Sequence, residues 1–296
     1  VHLTEAVHPE ALALLGQGAE IVDTPDLADA ILVRTARLGP PGPGLRLVAK
    51  HGVGVDNLDL PALARAGVAV MNTPGANASA VAEHALMLML ALTRDLAGLQ
   101  AAARTGRKPA PVSGLSGKRL LIVGFGASGR LASVGTRALG VKVSVHGPRL
   151  RGTATEEGFA IVPDLAAGLR EADIVSLHCP LTEATRGLIG AAELALMPPG
   201  GYLVNCARGG IVDEPALIAA LESGHLAGAA LDCTEVEPLP RDHPLLYAPR
   251  LILTPHAAAS SAQAFRAMGM QAVQNILDFF AGQPDPAALL LDGNRQ

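Results

Sequence analysis

From Leu120 onward, short unbroken apolar runs alternate with longer segments of helical spacing, and few folds accept that pattern. The runs are LLIVG (120–124), VKVSV (141–145), DIVSLH (173–178), YLVNCA (202–207), AALD (229–232) and LILTP (251–255). Between them lie stretches such as EPALIAALESG (214–224), apolar at helical intervals and closed by Gly224. A strand buried on both faces reads as a continuous run of Leu and β-branched residues, not as an alternation. Strand, helix, strand in repetition predicts a doubly wound α/β sheet.

The first part of the chain repeats the theme more loosely, around RLVAKHGVG (46–54) and VAVMNTPG (68–75), with a turn at PGPG (41–44). TGRKPAPVSGLSGK (105–118) is rich in Pro, Gly and Ser and reads as a linker or arm. SAQAFRAMGMQAVQNILDFFAG (261–282) reads as one long helix, free to return to the first domain. The expectation is two α/β domains. One is made of 1–96 plus 261–296, and the other of 97–260.

Composition removes several classes of function. Lys+Arg 23 against Asp+Glu 27 gives a net charge of −4, and aromatic residues are 2% with no Trp. A phosphate-backbone binder needs a basic face and a single-strand binder needs stacking platforms, so nucleic acid is not an expected partner. The longest apolar stretch, Ala85 to Leu92, is far short of the roughly 20 residues of a membrane span. The opening VHLTEAVHPE lacks a basic segment, apolar run and cleavage site. Three cysteines are too few for a disulfide framework, and together these readings predict a cytoplasmic location with no membrane partner.

The turn GFGASG follows LLIV and opens a helical pattern. Gly124 suits the tight turn, Gly126 lets a pyrophosphate approach the backbone, and Gly129 allows close helix–strand packing. Helix N-terminal N–H groups then face the phosphates, with Ala127 and Ser128 inside the turn. Eighteen residues past Gly129, where an acid would hold the ribose of NAD, stands Gly147, followed by Arg149 and Arg151. The expected cofactor is NAD or NADP, with NADP favoured. Cys179, Cys206 and Cys233 recur every 27 residues. Zinc sites built from cysteines show a close pair of ligands, so the spacing reflects the strand–helix period and no metal site is expected.

Taken together, GVGVDNLDL (52–60), NTPGANASAVAEH (72–84), GFGASG, HCPLTEATRGLIG (178–190), NCARGGIVDEPAL (205–217), AALDCTEVEPLP (229–240) and TPHAA (254–258) make the chain resemble the D-isomer-specific 2-hydroxyacid dehydrogenase family. The likeness is to its phosphoglycerate and hydroxypyruvate/glyoxylate branches. It implies a Rossmann nucleotide-binding domain inserted into a smaller flavodoxin-like substrate domain. It implies interconversion of a 2-oxo acid and a D-2-hydroxy acid by hydride transfer, in a homodimer. Its catalytic trio falls on Arg208, Glu237 and His256. Imidazole titrates near neutrality and suits a proton donor, a paired carboxylate stabilises its charged form, and a guanidinium matches a substrate carboxylate. The resemblance also places Cys179, Pro180, Cys206, Ala207 and Asp232 against the cofactor, and Val53, Gly54 and Asn77 against the substrate.

Glu83 and His84 are read as structural. The linker is short for the family, Lys108 stands where Trp is common, and AAASSA (257–262) replaces more usual Gly and Thr. No regulatory serine-binding domain is read after the last helix, so feedback control of that kind is not expected. The alternative reading is a low-turnover NAD(H)-sensing scaffold or corepressor of the same family.

Overall fold

The structure is a computed structural model and describes residues 1–108 and 111–293; Pro109 and Ala110 of the expected linker, and residues 294–296, lie outside them. The described residues form two compact units, Val1–Ala80 with the chain from Ala259 onward, and Val81–Ala258.

The second unit is built on a seven-stranded parallel sheet. Its order is Leu251–Leu253, Leu226–Leu231, Gly201–Asn205, Ile174–Leu177, Arg119–Val123, Lys142–His146 and Ala160–Ile161. The strand order reverses between Arg119–Val123 and Ile174–Leu177, so a crevice opens at their carboxyl ends. The apolar runs are unbroken because both faces are covered. Leu121 and Val123 pack with Leu169 and Leu217 on one side, and Leu120 and Ile122 with Ala132 and Phe159 on the other. The helices begin where the sequence supplies caps. Asp213 accepts from the Ala216 N–H at 3.0 Å before Glu214–Glu222, and Asp164 opens Leu165–Glu171 in the same way.

The first unit carries a five-stranded sheet ordered His2–Leu3, Ala30–Val33, Leu47–Lys50, Ala69–Met71 and Leu289–Leu291, the last antiparallel. Beside the edge strand, the Val1 amino group donates to the Glu20 carbonyl at 2.6 Å and the Val22 N–H to the Val1 carbonyl at 2.9 Å, without a further regular strand forming. The long helix Ala262–Phe280, capped by Ser261, buries Ala272, Val273 and Ile276 against Ala30, Leu32 and Leu47.

The first crossing between units falls at Ala80/Val81 and not at the expected 96/97. The helix Ala78–Thr93 explains the shift. From Ala82 to Met89 its buried residues belong to the core around Leu120, Ile122 and Val204, which the sequence could not assign to either sheet. The expected linker, 105–118, starts where the helix Leu96–Thr105 ends, but it is not wholly an exposed arm, because Leu115 is buried in that same core. Among the described residues no single helix is long and apolar enough to cross a membrane.

Candidate active site

The glycine turn closes around two tight contacts and one open one. Gly124 has φ +98°, and a Cβ there would lie 2.5 Å from the Cys179 nitrogen. A Cβ on Gly129 would lie 2.2 Å from the Gly124 carbonyl oxygen, so the helix Ala127–Ala138 approaches the strand end more closely than any side chain permits. Gly126 caps that helix with open space where its Cβ would stand. Room for a ligand beside exposed helix N–H groups is what a dinucleotide phosphate requires. His178 braces the turn in a way the sequence did not reveal. Its N–H donates to the Val123 carbonyl at 2.7 Å, and its ring lies 3.0 Å from Ser176 Oγ and 3.3 Å from Ser128 Oγ. Burial pushes this imidazole down to about 4, so it is neutral.

Gly147 follows Lys142–His146, and Arg149 beyond it is exposed. Arg151 is turned back on its own loop, its Nη1 donating to the carbonyls of Pro148 at 2.7 Å and Leu150 at 2.8 Å. Cys179 is half-buried and Pro180 exposed after Ile174–Leu177, while Cys206 and Ala207 are buried at the end of Gly201–Asn205. The three thiols do gather along the carboxyl edge, each just past a strand. Burial raises the pKa of all three, so none is a reactive thiolate near neutrality.

Three loops at the carboxyl edge carry the trio. Asn205 shapes the first: its Nδ2 donates to the Arg208 carbonyl at 2.8 Å, and its Oδ1 accepts from the Ala207 N–H at 3.0 Å. Arg208 Nη1 donates to the Ala207 carbonyl at 2.7 Å. The second loop, beyond Leu226–Leu231, presses onto the first at Gly209, where a Cβ would lie 1.9 Å from the Thr234 oxygen. Buried Glu214 holds that second loop by accepting the Glu235 N–H at 2.7 Å. Sequence reasoning passed over Asn205, Gly209 and Glu214.

Asp232 builds the third loop. Its carboxylate is 1% exposed and accepts from Thr254 Oγ1 at 2.6 Å, the Ala257 N–H at 2.8 Å and the Ala258 N–H at 2.9 Å. His84 Nε2 lies 3.0 Å from Thr254 Oγ1 and 3.3 Å from Asp232 Oδ1. Asp232 was expected against the nicotinamide. Its observed work is organising the histidine loop, with Oδ2 taking one protein donor. His256 itself is held at φ +51°, a left-handed backbone rare for a side chain of this size. Its N–H donates to the Asp232 carbonyl at 2.8 Å. Such strain persists where surrounding bonds over-determine it, as they do here.

The His256 ring meets Glu237 Oε2 through Nδ1 at 2.8 Å. The imidazole is pushed up to about 10, by its hydrogen bond with Cys233 and by that with Glu237. Since burial keeps Cys233 a neutral thiol, the lasting charge beside the ring is the carboxylate. Burial opposes ionisation of Glu237. The bond from His256, the Thr234 N–H and the charge of Arg208 still hold its carboxyl below its ordinary range. A cavity of about 470 Å³ opens beside the pair, lined by Asp232, Glu237, Pro238, Leu246, Thr254 and His256 among others. A guanidinium near an acid-tethered imidazole can bind an anion and pass a proton.

Residues 86–258 match the model of the D-isomer specific 2-hydroxyacid dehydrogenase NAD binding domain. The chain belongs to the D-isomer specific 2-hydroxyacid dehydrogenase family. It is 39% identical over 271 residues to a D-3-phosphoglycerate dehydrogenase of Bacillus subtilis, covering 89% of this chain and 51% of that protein. It is 40% identical over 255 residues to a glyoxylate reductase of Aeropyrum pernix, covering 82% of this chain and 76% of that one. The chain spans about half the length of the phosphoglycerate dehydrogenases it matches. Among solved structures, it superposes on a Sinorhizobium meliloti NADPH-dependent glyoxylate/hydroxypyruvate reductase in complex with NADP and malonate. The TM-score is 0.86 at 30% identity, covering 100% of this chain and 98% of that one. The second unit thus carries the NAD binding domain of this family.

The first unit holds the other expected residues. Val53 is exposed after Leu47–Lys50, and Asn72 Nδ2 donates to its carbonyl at 2.8 Å. The glycine at positive φ in this turn is Gly52, at +145°, rather than Gly54. Asn77 is half-buried immediately before Ala78–Thr93.

Proposed function

We propose that this dehydrogenase interconverts a small 2-oxo acid and the corresponding D-2-hydroxy acid, using a nicotinamide dinucleotide. The observation that carries the reading is the 2.8 Å contact between His256 Nδ1 and Glu237 Oε2 at the mouth of a cavity. With Nδ1 tied to the acid, Nε2 is left to deliver a proton to a carbonyl oxygen and to retrieve it in the reverse direction. Glu237 fixes the ring and stabilises its cationic form. Arg208 supplies a planar, permanently charged fork for the substrate carboxylate and polarises the adjacent carbonyl. The nicotinamide supplies the hydride when bound, at the crevice where the strand order reverses.

Gly124, Gly126, Ala127, Ser128 and Gly129 would hold the pyrophosphate, and His178 orients that turn through Ser128. Cys179, Pro180, Cys206 and Ala207 line the approach to the ring, and Asp232, which also borders the cavity, is assigned to its carboxamide. Gly147 presents no acid to repel a 2′-phosphate and Arg149 is exposed beside it, which supports NADP over NAD. In the first unit, Val53, Gly54 and Asn77 are assigned to substrate. The acid–imidazole pair favours turnover over a sensing scaffold. Glyoxylate, hydroxypyruvate and 3-phosphohydroxypyruvate, each assayed with NADH and NADPH by loss of nicotinamide absorbance, test the proposal. Turnover with NADPH preferred is expected, and absence of turnover with every pair overturns it.

A further inference from the structure

Of the three cysteines, Cys233 joins the acid–imidazole pair. Ligand atoms of Cys233, Glu237 and His256 all lie within 4.8 Å of one another, although the residues are 4 and 19 positions apart in the chain. A thiol, a carboxylate and an imidazole are the donor types of open zinc sites, where three protein ligands leave a fourth position for water. Zinc bonds of roughly 2.0–2.3 Å place neighbouring donors a little over 3 Å apart. The present separations therefore close on an ion with small side-chain rotations. The neighbouring cavity, lined by Glu237 and His256, supplies the way in. Cys233 is 2% exposed, with a long contact of 3.5 Å to the Ala207 carbonyl as its hydrogen bond to backbone, and its side chain already bonds the His256 ring, so the sulfur faces the other two donors.

We infer that Cys233, Glu237 and His256 form a capture site for a thiophilic divalent cation, of which Zn²⁺ is the natural example, and that capture reversibly switches the site off. On binding, the Cys233 S–H bond breaks, a metal–sulfur bond forms and the proton leaves to solvent. An imidazole nitrogen gives its lone pair to the ion, releasing any proton it carried. If Nδ1 binds, the Glu237 tether is lost; if Nε2 binds, the atom that would deliver the proton is occupied. Hard cations such as Mg²⁺ prefer all-oxygen shells and are not captured. Binding stands on the cluster's geometry alone, whereas the inhibitory half rests on the function proposed above.

Cobalt reads the binding half without any assay of turnover. Co²⁺ added to the reduced, chelator-treated protein is expected to give a thiolate-to-cobalt charge-transfer band and intense four-coordinate visible bands. One equivalent of Zn²⁺ should bleach both, and excess Mg²⁺ should not. Cys233→Ala and the closer mimic Cys233→Ser should lose the charge-transfer band, while Cys206→Ser keeps it. Zn²⁺ should inhibit 2-oxo acid reduction at least tenfold more weakly in Cys233→Ser, and EDTA should restore the wild-type rate. No charge-transfer band in the wild type, or a band unchanged in both Cys233 variants, overturns the inference whatever the turnover. A Cys233-dependent band in a protein that reduces no 2-oxo acid keeps the site and overturns the proposed function instead.

Discussion

At the scale of single residues, His256 brings backbone strain, a carboxylate partner and a raised pKa to one place. The proton-donating imidazolium exists below its pKa and is lost as pH rises through it. Reduction of a 2-oxo acid should therefore hold through neutrality and fall only at a pH well above the ordinary imidazole range. Glu237→Gln removes the facing charge, so kcat/KM should drop about 10²-fold and the descending limb should move to lower pH. A pH–rate profile of both proteins checks this, and a limb that does not move contradicts it. Arg208, Glu237 and His256 could be read from the sequence because each sits in a motif beyond an apolar run. Gly209 could not, since its importance lies in a loop 25 positions away. Gly209→Ala would put a methyl 1.9 Å from the Thr234 oxygen. Overpacking of this kind costs about 1–3 kcal/mol, so the variant should show a lowered Tm together with loss of activity as the two loops part.

At the scale of elements, strands of the parallel sheet were legible wherever both faces are buried, because burial on two sides writes an unbroken apolar run. The two-residue strand Ala160–Ile161 at the sheet edge carries too little pattern to be seen. The phosphate turn separates what folding needs from what binding needs. Gly124 and Gly129 are required by neighbouring atoms, whereas a Cβ at Gly126 meets nothing within 4 Å. Gly126→Val should then leave Tm nearly unchanged while weakening cofactor binding about tenfold, or ~1.4 kcal/mol. Thermal unfolding and cofactor titration measured together check this. An unaltered Kd would remove the turn from the cofactor site. Ser128→Ala and His178→Ala should raise the cofactor KM with a smaller effect on kcat, because the bridge orients the turn and takes no part in proton transfer.

At the scale of the whole molecule, the return of the final helix to the first sheet was legible as a long helical period after the last strand. The crossing at Ala80/Val81 was not, since the burial that decides it lies in tertiary contacts of Ala78–Thr93. Within the second unit, Met87 and Leu90 on that helix and Leu131 and Val134 on Ala127–Ala138 are exposed apolar residues on neighbouring helices. Light scattering should find a homodimer, and Met87→Glu with Val134→Lys should give a monomer. A wild-type monomer at micromolar concentration would contradict that assignment. The central claim, that an acid-tethered imidazole moves the proton, is tested most directly by single-turnover reduction of glyoxylate by wild type and His256→Asn, with cofactor Kd measured on each. The account predicts a rate constant about 10²–10⁴-fold lower in the variant at unchanged Kd. A variant that reduces glyoxylate as fast as the wild type would contradict it.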